Sequence, residues 1–185
     1  MSKYLPTNVA LSVFDVDYDT LYANGKRIIL FDLDNTLISY YETLPTKELI
    51  ELGKILLEKG FKTYVLTNNY ESRIKAFTDL FPATETGFLM KKPFTYKIKK
   101  YLKERNITNY KEIIMIGDQL VTDIHCANRL GVDSILVKSI SRASEKWYTV
   151  INRSREKWIV KRIAKKDYEF AMKIKEIIKK EKKHG

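Results

Sequence analysis

The sequence contains one cysteine, Cys126, among its 185 residues. A lone cysteine cannot form an internal disulfide, so the class of disulfide-stabilised secreted domains is excluded. Its neighbour His125 offers poor spacing for a shared metal ion in a helical stretch. We therefore expect Cys126 in the core, His125 at the surface, and the protein in a reducing compartment, the cytoplasm.

Long hydrophobic runs are also lacking. No apolar stretch approaches the roughly 18 residues that a membrane-spanning helix needs. Residues 1–6 lack the charged start and long apolar stretch of a secretory signal, so we expect none. The hydrophobic fraction of 44% and the charged fraction of 31% are those of a soluble globular protein, and 185 residues fit one domain.

The positive charge of the chain, +11 in total, is unevenly distributed. Residues 141–185 contain 15 of the 34 Lys and Arg but only 6 of the 23 Asp and Glu, which gives this segment a net charge of +9. Residues 1–140 are close to neutral. The sequence therefore predicts a core at 1–140 and a basic helical extension of the same domain at 141–185.

Short apolar runs alternate with helical patterns from residue 27 onward. The predicted strands are 27–32, 61–67, 86–90, 112–118 and 132–138, and the predicted helices are 46–60, 71–81, 95–106 and 120–131. This alternation predicts an α/β fold with a mainly parallel sheet and helices on both faces. Functional sites in such sheets lie at the carboxyl ends of the strands.

Polar side chains cluster where four of these strands end. They are Asp32 and Asp34, then Thr67, Asn68 and Asn69, then Lys92, and finally Asp118 and Asp123. A single carboxylate at a strand end is common by chance. Carboxylates, a hydroxyl, a lysine and further carboxylates at successive strand ends predict a site.

The phrase "FDLD" at 31–34 nearly repeats "FDVD" at 14–17, and such phrases occur in phosphoryl-transfer sites, calcium loops and helix caps. A calcium loop starting at Asp32 would need Gly and Glu where the chain has Leu37 and Thr43. The first copy precedes a short helix-like stretch, 19–25, so Asp17 or Asp19 is interpreted as a helix N-cap. For the second copy, the alternative to a site is a solvated turn.

The motifs "FDLDNTL", "LTNN", "KKP" and "GDQLVTD" resemble, in order and spacing, those of haloacid-dehalogenase (HAD) superfamily phosphatases of subclass IIIA. The preceding run "VFDVDYDTLYANGKRIIL" is most similar to the YqeG-type branch, which includes mitochondrial phosphatidylglycerophosphate phosphatases. The resemblance covers about residues 5–160. It implies a HAD-like, Rossmann-like sheet and a Mg²⁺-dependent phosphomonoester hydrolase, with phosphatidylglycerophosphate as the leading substrate.

The resemblance also implies roles for individual residues. Asp32 matches the nucleophile that forms an aspartyl-phosphate, and Asp34 the general acid and base. Thr67 and Lys92 match the groups that hold the phosphoryl group and offset its charge, with Asn68 as a further substrate-binding residue.

The implied Mg²⁺ ligands are Asp32, the backbone carbonyl of Asp34, and Asp118. Asp123 matches the second acid of the last motif, which ligates through water or orients Lys92.

Three of these assignments have simpler alternatives. Lys91 competes with Lys92, which we prefer because it immediately precedes Pro93. Thr67 could serve as an ordinary helix cap. Asp123 could do no more than offset a helix dipole.

A cap domain is missing from the predicted organisation. Only "ISYYETLP" separates Leu37 from the next helix, and one helix and one strand fill the interval from Thr67 to Lys92. An uncapped site excludes water poorly, so the substrate must help to close it. A large substrate is therefore favoured: a lipid headgroup in a membrane, a nucleic acid end or a protein.

The basic extension carries two apolar helical stripes. One contains Trp147, Ile151 and Trp158, and the other Ile159, Ile163, Phe170, Ile174, Ile177 and Ile178. Basic amphipathic helices suit an anionic phospholipid surface, with peripheral attachment to a membrane. The alternative is a stripe packed on the protein's own sheet. Nucleic acid is the less favoured partner, because no zinc spacing or recognition motif is present.

Three other functions remain as alternatives. The first is the same chemistry on a nucleotide, sugar or protein phosphate. The second is a signalling module phosphorylated on aspartate, against which Asp34 argues because an acid/base would erase the signal. The third is a nucleic-acid-binding module on a degenerate phosphatase fold.

Overall fold

The computed structural model of the chain describes residues 3–141 and 147–179, without the side chains of residues 147–153. Within these residues, six strands form one parallel sheet in the order β1-β6-β5-β2-β3-β4. The strands are β1 (Asn8–Ala10), β2 (Ile28–Phe31), β3 (Lys62–Leu66), β4 (Glu85–Gly87), β5 (Ile113–Gly117) and β6 (Asp133–Val137). The α/β class predicted from the alternating pattern is therefore confirmed.

Helices cover both faces of this sheet. They are α1 (Tyr18–Ala23), α2 (Lys47–Glu58), α3 (Glu71–Thr78), α4 (Tyr96–Glu104), α5 (His125–Leu130), α6 (Trp147–Ala164) and α7 (Tyr168–Ile177). Successive strand residues point to opposite faces. Ile29 and Phe31 accordingly pack in one cluster with residues of α1, α2 and α3. Leu30 packs on the other face with α4 and α5, where Cys126 is buried as expected.

The two C-terminal helices pack on the protein's own core. Ile159, Ile163, Ile174 and Ile177 are buried against apolar residues that follow β5 and belong to β6, such as Leu120 and Leu136. The second apolar stripe is therefore buried within the fold. For those residues, this confirms the alternative in which the stripe packs on the protein itself and does not contact a membrane. Trp158, by contrast, is exposed. The side chains of Trp147 and Ile151 lie outside the described residues, as do 142–146 and 180–185.

Several predicted boundaries require correction. The strand expected at 86–90 ends at Gly87, because Leu89 and Lys91 have positive φ values of 51° and 56°, which strands do not accommodate. The helix expected at 71–81 ends at Thr78. The helix expected at 120–131 is a π-helical turn, Leu120–Ile124, continued by α5.

Two features escaped the sequence pattern. Strand β1 was not predicted, because three residues with partial burial give no apolar run; it exists by pairing with the edge of β6. His125 is half-buried instead of fully at the surface, with its ring 4.8 Å from that of Tyr4. Burial lowers the pKa of His125 accordingly.

The first copy of the doubled phrase is structural. Asp17 is the N-cap of α1 and accepts hydrogen bonds from the backbone N–H and the hydroxyl of Thr20, at 2.9 and 2.7 Å. These bonds lower the pKa of Asp17. Asp15 accepts a hydrogen bond from Ser12 at 2.5 Å. The helix-cap interpretation is confirmed at Asp17.

The carboxyl edge of the sheet is open in this part of the chain. Residues 32–46 connect β2 to α2, and α3 alone lies between β3 and β4. Neither of these fully described connections contains a cap domain. Among the described residues, no helix has the length and apolarity required to traverse a bilayer.

Candidate active site

Asp32 lies at the centre of the carboxyl edge, directly after β2. Its backbone N–H donates to the carbonyl of Ile116 at 2.9 Å, which continues the pairing of β2 with β5 by one residue. The side chain is largely buried. Its Oδ2 accepts a hydrogen bond from the hydroxyl of Thr36 at 3.1 Å. Asp32 is thus fixed by the sheet itself and by the turn that follows it.

That turn places Asp34 beside Asp32. Asn35 adopts a left-handed conformation with φ 63°, which Asn tolerates better than most residues. The N–H of Asn35 donates to the carbonyl of Ile38 at 2.6 Å, and the N–H of Leu37 to that of Leu33 at 2.9 Å. The chain therefore reverses tightly after Asp34 and holds this side chain at the same edge.

The Asp34 carboxylate is held by residues that follow β3. Its Oδ2 accepts a hydrogen bond from Nδ2 of Asn69 at 2.6 Å and a long one from the hydroxyl of Thr67 at 3.4 Å. Nη2 of Arg73 lies 3.8 Å from Oδ1. With a side chain 20% exposed, Asp34 has access both to the buried cluster and to solvent.

Lys92 supplies a buried cation to the cluster. Its Nζ lies 2.5 Å from Oδ1 of Asp32 and 2.8 Å from Oδ1 of Asp123, and its side chain is only 2% exposed. Burial alone lowers the pKa of Lys92, but the two carboxylates outweigh it and raise the pKa above its ordinary value. Lys92 is therefore charged, whereas its neighbour Lys91 is exposed.

Three buried carboxylates converge at this edge. Asp32, Asp118 and Asp123 each contribute an oxygen, and these oxygens lie within 4.8 Å of one another. Burial raises the pKa of Asp32 well above its usual range, Lys92 lowers it, and Asp123, Asp118 and Asp34 raise it further. One lysine does not balance three acids, and clustered carboxylate oxygens are the ligands that Mg²⁺ prefers. The donor set therefore fits a divalent cation.

Asp123 differs from the other two acids in its contacts. One oxygen accepts from Lys92, and the other accepts from the backbone N–H of Gln119 at 3.2 Å and the hydroxyl of Thr122 at 3.3 Å. Gly117 permits this arrangement, because a Cβ there would lie 2.5 Å from Cβ and Cγ of Asp123. These contacts allow Asp123 to orient Lys92. An offset of the helix dipole alone does not account for them.

The polar residues after β3 make different contacts. Asn68, for which substrate binding stays a prediction, holds the backbone of Lys92: its Oδ1 accepts from the Lys92 N–H at 2.8 Å, and its Nδ2 donates to the Lys92 carbonyl at 3.1 Å. Asn69 is the amide that reaches Asp34. Thr67 does not cap a helix, since the N-cap of α3 is Tyr70.

Two contributors were missed by sequence reasoning. Thr36 was not among the predicted site residues, yet its hydroxyl donates a hydrogen bond to Asp32. Arg73 joins α3 to the loop after β2, donating to the carbonyls of Tyr40 and, at 3.1 Å, Glu42, while it approaches Asp34. In the sequence, the only indication of this role was the position of Arg73 in the first turn of the helix after "TNN".

The parallel α/β fold and the buried acidic site resemble those expected of a HAD-like phosphatase, and comparison with known proteins shows the phosphatase class. A family model described as mitochondrial PGP phosphatase matches residues 2–140. The match spans most of the chain, and the chain belongs to this family. The family and the phosphatase class of enzyme expected from the four motifs are thus confirmed.

Two relatives show how far the similarity extends. The Bacillus subtilis (strain 168) protein named "Probable phosphatase YqeG" is 31% identical over 172 residues, covering 89% of this chain and 94% of the relative. Phosphatidylglycerophosphate phosphatase 1, chloroplastic/mitochondrial, of Arabidopsis thaliana is 28% identical over 162 residues. That alignment covers 82% of this chain but 45% of the plant protein.

A solved structure shares the fold. An uncharacterized protein from Listeria monocytogenes serotype 4b superposes with a TM-score of 0.50 at 19% identity, over 60% of this chain and 77% of the other. At that identity the likeness concerns the fold alone.

Proposed function

We propose that the protein is a Mg²⁺-dependent phosphomonoester hydrolase that works through a phosphorylated Asp32. The observation that carries the proposal is the buried cluster in which the Lys92 ammonium lies 2.5 Å from Asp32 and 2.8 Å from Asp123, within the acidic triad. A nucleophile, a fixed cation and clustered oxygen ligands are what phosphoryl transfer requires.

In the proposed reaction, a carboxylate oxygen of Asp32 attacks phosphorus and the bond to the leaving oxygen breaks. Asp34 donates a proton to that oxygen, so the alcohol departs neutral. A water molecule then attacks phosphorus, Asp34 removes its proton, and the bond between Asp32 and phosphorus breaks to release phosphate. Asn69 and Thr67 keep Asp34 in place through both proton transfers.

Asp32, Asp118 and the backbone carbonyl of Asp34 would hold Mg²⁺, which supplies charge neutralisation for the phosphoryl oxygens when bound. Lys92 offsets the remaining negative charge, and Asp123 and Asn68 fix Lys92 from its side chain and its backbone. Thr67 is proposed to contact the phosphoryl group through its hydroxyl. The charge of the site is thus arranged around the group being transferred.

Asp34→Asn is expected to separate the two halves of the reaction. With an aryl phosphate, whose leaving group needs little proton assistance, phosphorylation of Asp32 continues. Hydrolysis slows by roughly 10²–10⁴-fold, because no base activates water. Stopped-flow absorbance should show a burst of the phenol approaching one equivalent per site, with intact-protein mass spectrometry detecting the added phosphoryl group.

Asp17→Asn is a suitable comparison for this variant, since it makes the same change at the matching position of the first copy of the phrase, on an exposed helix N-cap. It should show steady turnover without accumulation of phosphoprotein. Unchanged steady-state hydrolysis in Asp34→Asn would refute the role proposed for Asp34.

For the substrate, we propose a phosphomonoester headgroup in a lipid surface, with phosphatidylglycerophosphate as the leading candidate. The site is uncapped, the chain belongs to a family described by that phosphatase activity, and the plant relative carries the same name. The protein would then work as a peripheral protein at the membrane surface.

Exposed apolar side chains lie on loops at the same edge of the sheet as the site. Because all six strands run parallel, the loops after them lie at one edge of the sheet. These loops expose Tyr41 and Leu44 after β2, Tyr70 after β3, and Phe94 after β4. Aromatic rings at such a rim suit the interface between lipid headgroups and acyl chains.

Phe94→Ser is expected to discriminate between lipid and soluble substrates. Phe94 is 57% exposed, two residues after Lys92. Loss of its insertion should lower kcat/KM on phosphatidylglycerophosphate in vesicles by roughly tenfold, while kcat/KM on the deacylated, water-soluble headgroup stays the same. Phosphate release with Mg²⁺ on the two substrates measures both values.

Leu80→Ser is the matched control. Leu80 is 53% exposed but precedes β4, at the amino edge of the sheet. It should leave both substrates unaffected. Equal kcat/KM of the unaltered protein on vesicles and on soluble nucleotide or sugar phosphates would instead favour a soluble substrate.

A further inference from the structure

Glu156 is a buried acid on α6, outside the residues matched by the family model. It is only 1% exposed. Its Oε1 accepts a hydrogen bond from the backbone N–H of Leu120 at 3.0 Å. A carboxylate from the basic C-terminal segment thus reaches the loop that carries two acids of the candidate site.

The loop that Glu156 contacts comprises Asp118, Gln119 and the π-helical turn Leu120–Ile124, which begins two residues after Asp118. The first N–H groups of a helical turn have no partner within it. Asp123 supplies one partner from inside the loop, by accepting from the N–H of Gln119 at 3.2 Å. Glu156 supplies the partner of the next N–H group, that of Leu120, from α6.

Apolar side chains surround the contact between Glu156 and Leu120. Ile159, Val160 and Ile163 follow Glu156 at helical spacings of three, four and seven residues, so they lie on the same face of α6. They pack in one cluster with Leu120, Val121 and Ile124 of the turn, and with residues of α7. The polar contact therefore sits within an apolar interface between α6 and the turn, where water cannot replace the acceptor.

We propose that Glu156 is a positioning residue for Mg²⁺, which acts by fixing the loop that holds Asp118 and Asp123. Loss of the acceptor leaves a buried N–H unsatisfied, and the turn relaxes to find another partner. Asp118 and the Asp123–Lys92 pair move with it. The inference rests on the proposed function of the same site, and it makes the C-terminal helices part of the catalytic scaffold.

The test compares Glu156→Met, which keeps length but removes the acceptor, with Glu156→Gln, which keeps an acceptor oxygen. Calorimetric titration of the full chain with MgCl₂ should show roughly tenfold weaker binding in Glu156→Met and near-normal binding in Glu156→Gln. The kcat on an aryl phosphate should fall with Mg²⁺ affinity, while KM for the phosphate changes little.

Ile159→Ala provides the comparison for a purely structural effect, because it weakens the same interface without touching the hydrogen bond. It should lower Tm and leave Mg²⁺ affinity unchanged. If Glu156→Met does not fold, Glu156→Asp, whose shorter carboxylate falls short of Leu120, should show the same loss of Mg²⁺ affinity.

Three results would overturn the assignment. They are normal Mg²⁺ affinity in a folded Glu156→Met or Glu156→Asp, an equal loss of affinity in Glu156→Gln, and an equal loss in Ile159→Ala. Failure of the unaltered protein to bind Mg²⁺ would overturn the proposed metal site together with this assignment. Failure of the Glu156 assignment alone is thus distinguishable from failure of the metal site.

Discussion

Asp32→Asn is expected to abolish phosphate release, by roughly 10⁴-fold or more, while the protein stays folded. An amide oxygen is a poor nucleophile towards phosphorus and a weak ligand for Mg²⁺. Its size matches that of the carboxylate, and the contact with Thr36 can persist. Colorimetric phosphate release from an aryl phosphate with Mg²⁺ measures the loss, and no phosphoprotein should accumulate.

The same substitution should raise the Tm of the metal-free protein at neutral pH. Burial first, and then Asp123, Asp118 and Asp34, raise the folded-state pKa of Asp32 above its unfolded value, against the opposing effect of Lys92. An acid with a raised folded-state pKa destabilises the fold as pH rises through that pKa. Asparagine does not titrate, so its advantage should be larger at pH 7 than at pH 4.

Added Mg²⁺ should reverse the order of the two Tm values, so that the unaltered protein becomes the more stable. With the proposed cation site, the unaltered protein should bind Mg²⁺ in its folded state and gain stability by mass action, whereas Asp32→Asn should gain less. Thermal unfolding with and without MgCl₂ therefore gives opposite rankings of the two proteins. The same ranking under both conditions would argue against a cation at Asp32.

Asp133→Asn is the control for removing a carboxylate elsewhere. Asp133 begins β6, and its Oδ2 lies 2.5 Å from Nζ of Lys26 at the amino edge of the sheet. Loss of this pair should lower Tm without changing turnover. The opposite effects of the two substitutions separate a carboxylate kept for chemistry from one kept for stability.

Lys92→Met should cost both activity and stability. It removes the cation from a buried pair of acids, Asp32 and Asp123, and breaking a buried ion pair from one side costs about 3–5 kcal/mol. In a protein of this size that loss corresponds to a decrease in Tm of about 10 °C. Activity should fall by roughly 10³-fold, since the charge proposed to offset the phosphoryl oxygens is lost.

The stability loss in Lys92→Met should depend on pH in a defined direction. Lys92 is the charge that lowers the pKa of Asp32. Its removal therefore favours the neutral form of Asp32 further. The variant can relieve the buried charge by taking up protons at low pH but not at high pH. The difference in the free energy of unfolding between Lys92→Met and the unaltered protein should therefore grow as the pH rises above the ordinary pKa of a carboxyl group, as measured by urea unfolding.

Lys91→Met is the matched control, because it makes the same change one residue earlier on an exposed side chain. It should have little effect on Tm or on turnover of the aryl phosphate. If Lys91→Met impaired turnover as strongly as Lys92→Met, the two lysines would have been assigned the wrong way round.

Much of the fold followed from short-range pattern. Apolar runs of strand length alternate with helical periodicity, and this alone predicted a parallel sheet with covered faces. Parallel pairing then brings the strand ends to one edge, which is why the sequence predicts that Asp32, Thr67 and Asp118 lie close together. Asp17 as a helix cap is equally local, since the cap and its partner are three residues apart.

The division of labour among neighbouring residues did not follow from pattern. Asn68 and Asn69 are the same residue type at adjacent positions, yet one clamps Lys92 and the other holds Asp34. Their tasks depend on which way each side chain leaves a turn. That direction is set by contacts with segments more than twenty residues away.

The class of the fold, the edge that bears the site and the residue types gathered there could be predicted from the sequence, because they depend on local periodicity and on the chemistry of each side chain. Long-range contacts place three residues near the N-terminus in the sheet, bury the apolar stripe of the basic helices and bring Glu156 to Leu120. These outcomes depend on the edges, apolar faces and buried N–H groups that distant segments leave to be satisfied, and the local pattern does not contain that information.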